Sequence, residues 1–261
     1  MPELPDLEVF RINVFRRLTS KRLIALDVHN PKKVRGAKST LLRELVGKEL
    51  LRIDRVGKEL FFDFGDTNVL AAHLMLSGAM SIVSAEEAAV IDHKIFSMDF
   101  QQETLVISDR GGLCTVKYKP PTEPTPDALD AAFTLQYLHR MVRVKPFTNA
   151  KAFLIDQHMV KGIGNAYADE ILWHARISPH SLVGKIPTEQ LAILHSAVRT
   201  VLESAIDEIK KISPNIISGE ERSFLKVHNR FLKQTETGYP IIVEKIATKT
   251  TYHTKEQVLY A

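Results

Sequence analysis

Two places in the sequence combine residue types and spacing suited to covalent or phosphate chemistry. The first is the amino terminus, MPELPDLEVF. Removal of Met1 would leave Pro2 as a secondary amine with Glu3 beside it. An α-amine titrates at about 7.7–8.0, against about 10.4 for lysine, so a useful fraction is unprotonated near neutral pH. Such an amine can attack a sugar or carbonyl carbon and form a Schiff base. From a secondary amine the product is a permanently charged iminium, a strong electron sink. Glu3 is close enough in sequence to give or take a proton. Taken alone, these residues leave packaging and catalysis both open, because many chains begin Met-Pro. Retention of Met1 would turn the Pro2 nitrogen into an amide and remove the chemistry; with proline second, removal is the expected fate.

The second place is KAFLIDQHMVKGIGNAYADEILWHARISP. Two helical stretches flank the turn Gly162-Ile163-Gly164-Asn165. Both glycines let backbone approach a partner closely, and Asn165 is suited to capping the second helix. Backbone N–H groups at that helix start would suit a phosphate. The sequence lacks GxxxxGK[ST], and a dinucleotide GxGxxG would need glycine at Tyr167. A helix hairpin with a glycine stop fits the same spacing.

The surrounding elements must hold these groups. Asp6 to Leu18 carries Leu7, Phe10, Val14, Phe15 and Leu18 at helical spacing, and Pro5 suits a helix start. The next hundred residues alternate at strand period: LLRIDRV, ELFFDFG, VLAAHLMLSG, KIFSMDF, ETLVISD and LCTVKY. KPPTEPTPDALDAAF, with four prolines, reads as a linker. Helical periodicity follows through FTLQYLHRM, KAFLIDQHM, NAYADEILWHA and the long TEQLAILHSAVRTVLESAIDEIKKI. After SPNIISGEERSF come two short strands around a turn at 247–249.

A chain of 261 residues is ample for two domains. Its formal charge is only +4, but the segment from Arg11 to Lys58 holds fourteen basic and four acidic residues. That excess makes a polyanionic partner as reasonable as a solvated surface. The single cysteine, Cys114, excludes a disulfide framework and a cysteine-based zinc site. No signal peptide or long apolar run stands out, which leads to the expectation of a cytoplasmic protein, nucleoid-associated if bacterial.

PELPDLE at the terminus, RVGKELFFDF around Lys58, HLMLSG around His73 and LIDQHMVKGIGNAYADEILWHARISP together resemble the formamidopyrimidine-DNA glycosylase / endonuclease VIII family, in order and separation and over essentially the whole chain. The ELP after Pro2 is more similar to the formamidopyrimidine branch. The resemblance implies an α+β fold: an N-terminal β-sandwich with a catalytic N-terminal helix over residues 1–122, a helix–two-turn–helix domain over 123–218, and a β-hairpin finger over 219–261. It implies that double-stranded DNA with a damaged base or abasic site binds between the domains. The base leaves the stack, at a cost of a few kcal/mol. Pro2 would be the nucleophile, Glu3 the acid/base, and Lys58 a proton-transfer group beside the lesion phosphate. Lys151, Gly164, Asn165, Lys249 and His93 would contact DNA, and Leu76 and Leu113 would wedge between bases. A monomeric glycosylase with AP-lyase activity is the expected reading. A DNA-binding protein that has lost the chemistry is the alternative. An RNA-binding structural protein would leave the terminus unexplained.

The sequence also departs from the family's pattern. The usual finger is held by four cysteines and zinc; here Gln234, Thr237, Thr254 and Gln257 align with them, and none suits zinc. A zincless finger packed through Ile241, Val243, Ile246 and Tyr252 is therefore expected, with no cofactor. The fingertip arginine aligns with Lys249, which keeps the charge without the bidentate fork. Gly112 and Leu113 replace an arginine and a phenylalanine, and Leu76 a methionine. No arginine is then placed to read the opposite base.

Overall fold

The computed structural model describes residues 1–246 and 248–261; Ala247, in the turn expected at 247–249, lies outside the described residues. The chain divides into two compact units. One comprises Met1–Glu123 with Ile209–Glu220, the other Pro124–Glu208 with Glu221–Ala261.

The first unit begins with helix α1 (Leu4–Leu18), whose buried face carries Leu7, Phe10, Val14 and Leu18. Then come β1 (Ala25–Val28), β2 (Val34–Arg35), α2 (Lys38–Leu45), β3 (Arg52–Val56), β4 (Glu59–Asp63), β5 (Val69–His73), β6 (Gly78–Val83), α3 (Ala85–Val90), β7 (Lys94–Phe100), β8 (Glu103–Asp109) and β9 (Thr115–Tyr118). Two sheets form, ordered β1-β7-β8-β6 and β2-β9-β5-β4-β3. All pairings are antiparallel except β2 with β9. Alternate residues from both sheets, among them Leu60, Phe62, Leu70, Phe96, Met98, Leu105 and Ile107, close one core together with α1, the period-two burial expected of packed sheets.

VLAAHLMLSG, read as one strand, is broken in the structure. β5 ends at His73, Leu74–Ser77 turn, and Gly78 opens β6. The turn bond from Gly78 N–H to the Leu74 carbonyl explains the glycine, because a Cβ there would lie 2.2 Å from that carbonyl oxygen.

The second unit holds α4 (Leu135–Val144), α5 (Ala150–Ile155), α6 (Asn165–His174), the body of α7 (Thr188–Ile212), and the hairpin β10 (Ile242–Ile246) with β11 (Lys249–His253). From Ala166 to Trp173 every residue of α6 is buried, so this is the central helix of its unit. Residues 209–218, placed with the helical domain from sequence, pack instead with the first unit. Asn13 Nδ2 donates to the Ile216 carbonyl at 2.8 Å, and Ile216 and Ile217 cover that unit's core. The proline-rich segment is not a free linker throughout: 121–124 and 130–132 are open to solvent, but Pro126, Asp127, Ala128 and Phe133 are buried. No described helix is long and apolar enough to cross a membrane.

The basic excess of the segment Arg11–Lys58 is partly neutralised in space. Arg11, Arg17, Lys21, Lys38, Arg43, Lys48, Arg52 and Arg55 each pair with a carboxylate, several supplied from outside the segment by Glu8, Asp63, Asp66 and Glu103. Net charge along the sequence therefore overstates the positive field this segment presents.

Candidate active site and nucleic-acid interface

Pro2 and Glu3 are both buried at the start of α1. Asp6 Oδ2 accepts the Glu3 backbone N–H at 2.8 Å, fixing the entry of the chain into the helix. The Met1 ammonium pairs with Glu220 at 3.0 Å in the same unit.

Lys58 lies in the tight turn between β3 and β4 and is 9 % exposed. The turn is braced against α1 by Arg55. Its Nε donates to Glu8 Oε2 at 3.0 Å and its Nη1 to the Gly57 carbonyl at 3.1 Å. Burial acts to raise the Glu8 carboxyl, but the bonds and charges of Arg11 and Arg55 outweigh it and hold the group below the usual range. The helix start that follows Pro2 and Glu3 and the turn that carries Lys58 thus share one ion-paired bridge. Glu8 closes PELPDLE and Arg55 opens RVGKELFFDF, but spacing within each motif does not show that the two meet.

His73, opposite Glu59 on β5, accepts the Met75 N–H on Nδ1 at 3.0 Å. Burial depresses its pKa, Glu59 opposes the shift, and Lys58 and Lys117 reinforce it. A folded value below the ordinary 6.5 means that the unfolded chain takes up the proton first as pH falls. Stability from the neutral imidazole is full above about pH 6.5 and declines as pH drops toward the folded value. Thermal melts of wild type and His73→Gln should therefore differ by a constant amount above about pH 6.5, with wild type losing stability relative to the variant as pH falls below it; profiles parallel across the whole range would exclude this role.

Leu76 and Leu113 stand 63 % and 41 % exposed on the β5–β6 and β8–β9 turns. Asp109 ties the two turns together. Oδ1 accepts from Ser77 Oγ at 2.6 Å and from Gly111 N at 2.9 Å, and Oδ2 accepts from Leu113 N at 2.5 Å and from Cys114 N at 2.7 Å. Burial pushes this carboxyl up, but the four bonds more than compensate and lower it. His93 is exposed in the turn before β7, and its carbonyl accepts the Asp109 N–H at 2.9 Å.

In the second unit Gln157 shapes the glycine turn. Its Nε2 donates to the Ile155 and Ile163 carbonyls at 2.9 Å each, and its Oε1 accepts Gly162 N–H at 2.9 Å. Gly162 has φ +101°, a region that disfavours a side chain. Gly164, not Asn165, is the N-cap of α6. Asn165 Nδ2 reaches instead to the Thr250 carbonyl at 2.9 Å, while its Oδ1 has no hydrogen-bond partner among the described residues.

Lys151, expected on a phosphate, is 1 % exposed. Its Nζ pairs with Asp169 Oδ1 at 2.8 Å and donates to the Thr250 carbonyl at 3.2 Å. Asp169 Oδ2 also accepts from Tyr252 N at 2.9 Å and lies 2.7 Å from His228 Nδ1. The ammonium is turned inward because a buried carboxylate lies beside it, and an unpaired buried charge is far costlier than a lost surface contact. Lys151 therefore secures β11 to α5 and α6. Lys249 is exposed at the start of β11.

The hairpin departs from the packing expected of it. Ile246 is buried, but Val243 is 56 % exposed. The remaining cohesion is polar and centres on Glu256. Its carboxylate accepts from Trp173 Nε1 at 2.9 Å, Thr237 Oγ1 at 2.8 Å and Thr254 Oγ1 at 3.1 Å, and pairs with Arg176.

Two stretches that together span most of the chain match known families: residues 1–115 the formamidopyrimidine-DNA glycosylase N-terminal domain, and residues 125–215 the formamidopyrimidine-DNA glycosylase H2TH domain. The chain is also 31 % identical to the formamidopyrimidine-DNA glycosylase of Pediococcus pentosaceus over 97 % of each chain. The chain belongs to the formamidopyrimidine-DNA glycosylase family. It is 33 % identical to the Aromatoleum aromaticum member over 85 % of this chain and 84 % of the other. Two solved structures of Lactococcus lactis Fpg, one with DNA containing an oxidised pyrimidine and one with DNA containing an abasic site, are each 25 % identical. Their TM-scores are 0.85 and 0.84, and each comparison covers 97 % of this chain and 98 % of theirs.

The zinc of a formamidopyrimidine-DNA glycosylase finger does not fit this one. Thr237 and Thr254 direct their hydroxyls to Glu256, and the Gln257 amide accepts Thr254 N–H at 2.8 Å while donating to the Ile177 carbonyl at 2.8 Å. Gln234 is exposed. Neutral amides and hydroxyls already committed in this way are a poor ligand set for zinc.

Proposed function

We propose that this protein is a bifunctional DNA glycosylase and AP lyase of base-excision repair, acting on double-stranded DNA through the Pro2 amine. The observation that carries the reading is the placement of Pro2 and Glu3 at the head of α1, braced by Glu8 and Arg55 to the turn that presents Lys58. The chain's membership of its family and the DNA-bound Lactococcus lactis relatives support the substrate class.

In the processed chain the Pro2 nitrogen attacks C1′ of the damaged nucleotide. The C1′–N bond breaks and the base leaves with its electron pair, taking up a proton. Glu3 protonates the ring oxygen as the sugar opens, giving an iminium at C1′. The iminium acidifies the C2′ proton; its removal expels the 3′ phosphate and nicks the strand. Hydrolysis then frees the amine. Lys58 neutralises phosphate charge beside the lesion and shuttles protons.

Leu76 and Leu113 fill the space left by the extruded base, while Asn165, the Gly164 turn, Lys249 and His93 hold the strand. The four finger positions contribute no metal to this chemistry. The test is a duplex bearing one oxidised base, incubated with protein whose intact mass lacks Met1: base release with a strand nick is expected. The altered wedge and finger, with Gly112, Leu113 and Lys249 at the positions of the family's arginine, phenylalanine and fingertip arginine, favour a second reading, a damaged-DNA-binding protein that has lost the chemistry, which would bind such duplexes and leave them whole.

The grip on DNA has its own expected signature. Lys249→Ala should flatten the slope of log affinity against log salt by about one unit, because one phosphate contact fewer releases one counterion fewer. Lys185, exposed elsewhere in the same unit, serves as comparator. An equal change in Lys185→Ala would mean that diffuse charge, not the fingertip, holds the strand.

A further inference from the structure

One cluster of chemistry-bearing side chains takes no part in the scheme above. His180 lies in the loop after α6, Glu244 in β10 and His253 in β11. His180 Nε2 and His253 Nε2 each approach the same oxygen, Glu244 Oε1, to 2.7 Å. The ligand atoms of all three residues fall within 4.8 Å of one another. The sheet register explains the convergence: Glu244 pairs with Thr251, so His253, two residues further on, emerges on the same face. The two imidazoles meet nearly edge to face at 5.8 Å. His180 and Glu244 are 45 % and 39 % exposed, so a hydrated ion can reach the cluster from solvent.

We propose that His180, Glu244 and His253 form a binding site for one divalent transition-metal cation, with zinc the best match. Two imidazoles and one carboxylate are a donor set that takes zinc and leaves a fourth position for water. Zinc–ligand bonds of about 2.0–2.1 Å in a tetrahedral site place ligand atoms roughly 3.3 Å apart. The His–Glu pairs therefore need to open by about 0.6 Å, within reach of side-chain rotation at His180 and Glu244. Each contact between Nε2 and Glu244 is exchanged for a metal bond through the Nε2 lone pair; an imidazole proton held on Nε2 is released to water, and the neutral ring carries its remaining proton on Nδ1. The site uses none of Gln234, Thr237, Thr254 and Gln257. The lack of cysteines, which argues against a thiolate finger, says nothing about imidazole donors. A bound ion would join both finger strands to the loop that follows α6.

The experiment is a calorimetric titration of chelator-treated, full-length protein with zinc ion alone, paired with thermal melts. One ion per chain is expected, with a rise in Tm of roughly 5 °C at a hundredfold excess over Kd. His180→Ala, His253→Ala and Glu244→Gln should each weaken binding at least tenfold. His29→Ala, in the other unit, should not. His180→Ala alters only an exposed loop residue and tests the site even if His253→Ala fails to fold. Cobalt ion in place of zinc should give the intense visible absorption of a tetrahedral centre. Absence of saturable uptake, or uptake of undiminished affinity by His180→Ala, would overturn the assignment.

Discussion

Borohydride reduction of the processed protein on an abasic-site duplex should yield a covalent protein–DNA adduct that maps to Pro2, and Pro2→Gly should lose at least about a hundredfold in the rate of its formation. The iminium from a secondary amine has no neutral imine form, so it persists long enough to be reduced. Glycine restores an α-amine but forms a titratable imine and lacks the ring that fixes the nitrogen at the helix start. A hundredfold loss corresponds to about 2.7 kcal/mol of barrier, modest for displacing a nucleophile from a preorganised site. An adduct mapping to Lys58 instead, or Pro2→Gly trapping as fast as wild type, would remove the terminal amine from the mechanism. No adduct from wild-type protein of verified mass would leave the binding-protein reading standing.

The second large effect is on stability. Lys151→Ala should destabilise the protein by about 3–5 kcal/mol, the range for breaking a buried pair and stranding its partner. Asp169 would keep its bonds to Tyr252 N and His228 but lose its only lysine partner among the described residues. The same substitution should leave the salt slope of DNA binding unchanged, because an ammonium already neutralised inside the protein releases no counterions. Denaturant unfolding monitored together with salt titration separates the two roles. A stable Lys151→Ala protein with a flattened slope would return this lysine to the phosphates.

The difference between these two residues marks what the sequence carries. Period and turn signals were enough to place α1, α6, α7 and most strands, because apolar spacing directly encodes which face is buried. The glycine turn before α6 is legible from residue types at fixed local spacing, and Pro2 and Glu3 stand out as candidates in the same way, their proposed roles coming from the resemblance. The burial of Lys151 is not legible, since it depends on Asp169, eighteen positions away, and on a hairpin a hundred residues downstream. The Arg55 brace and the Asp109 clamp between two turns are invisible for the same reason, since tertiary packing brings Glu8 to the one and Ser77 to the other. Val243 failed in the opposite direction, as an apolar residue in a strand whose outward face happens to be open.

The Glu256 hub has a consequence for oxidation. A cysteine-held zinc finger is vulnerable to the oxidants that damage DNA bases, because thiolates climb from sulfenic to irreversible sulfonic acid and release their metal. Carboxylate, hydroxyl and indole hydrogen bonds offer no such thiolate. The chain's single thiol is shielded too: Cys114 is buried, and burial with the nearby Asp109 charge pushes its pKa up to about 12, leaving almost no reactive thiolate at neutral pH. The finger of this protein should therefore stay folded through a peroxide exposure that strips a thiolate-bound one.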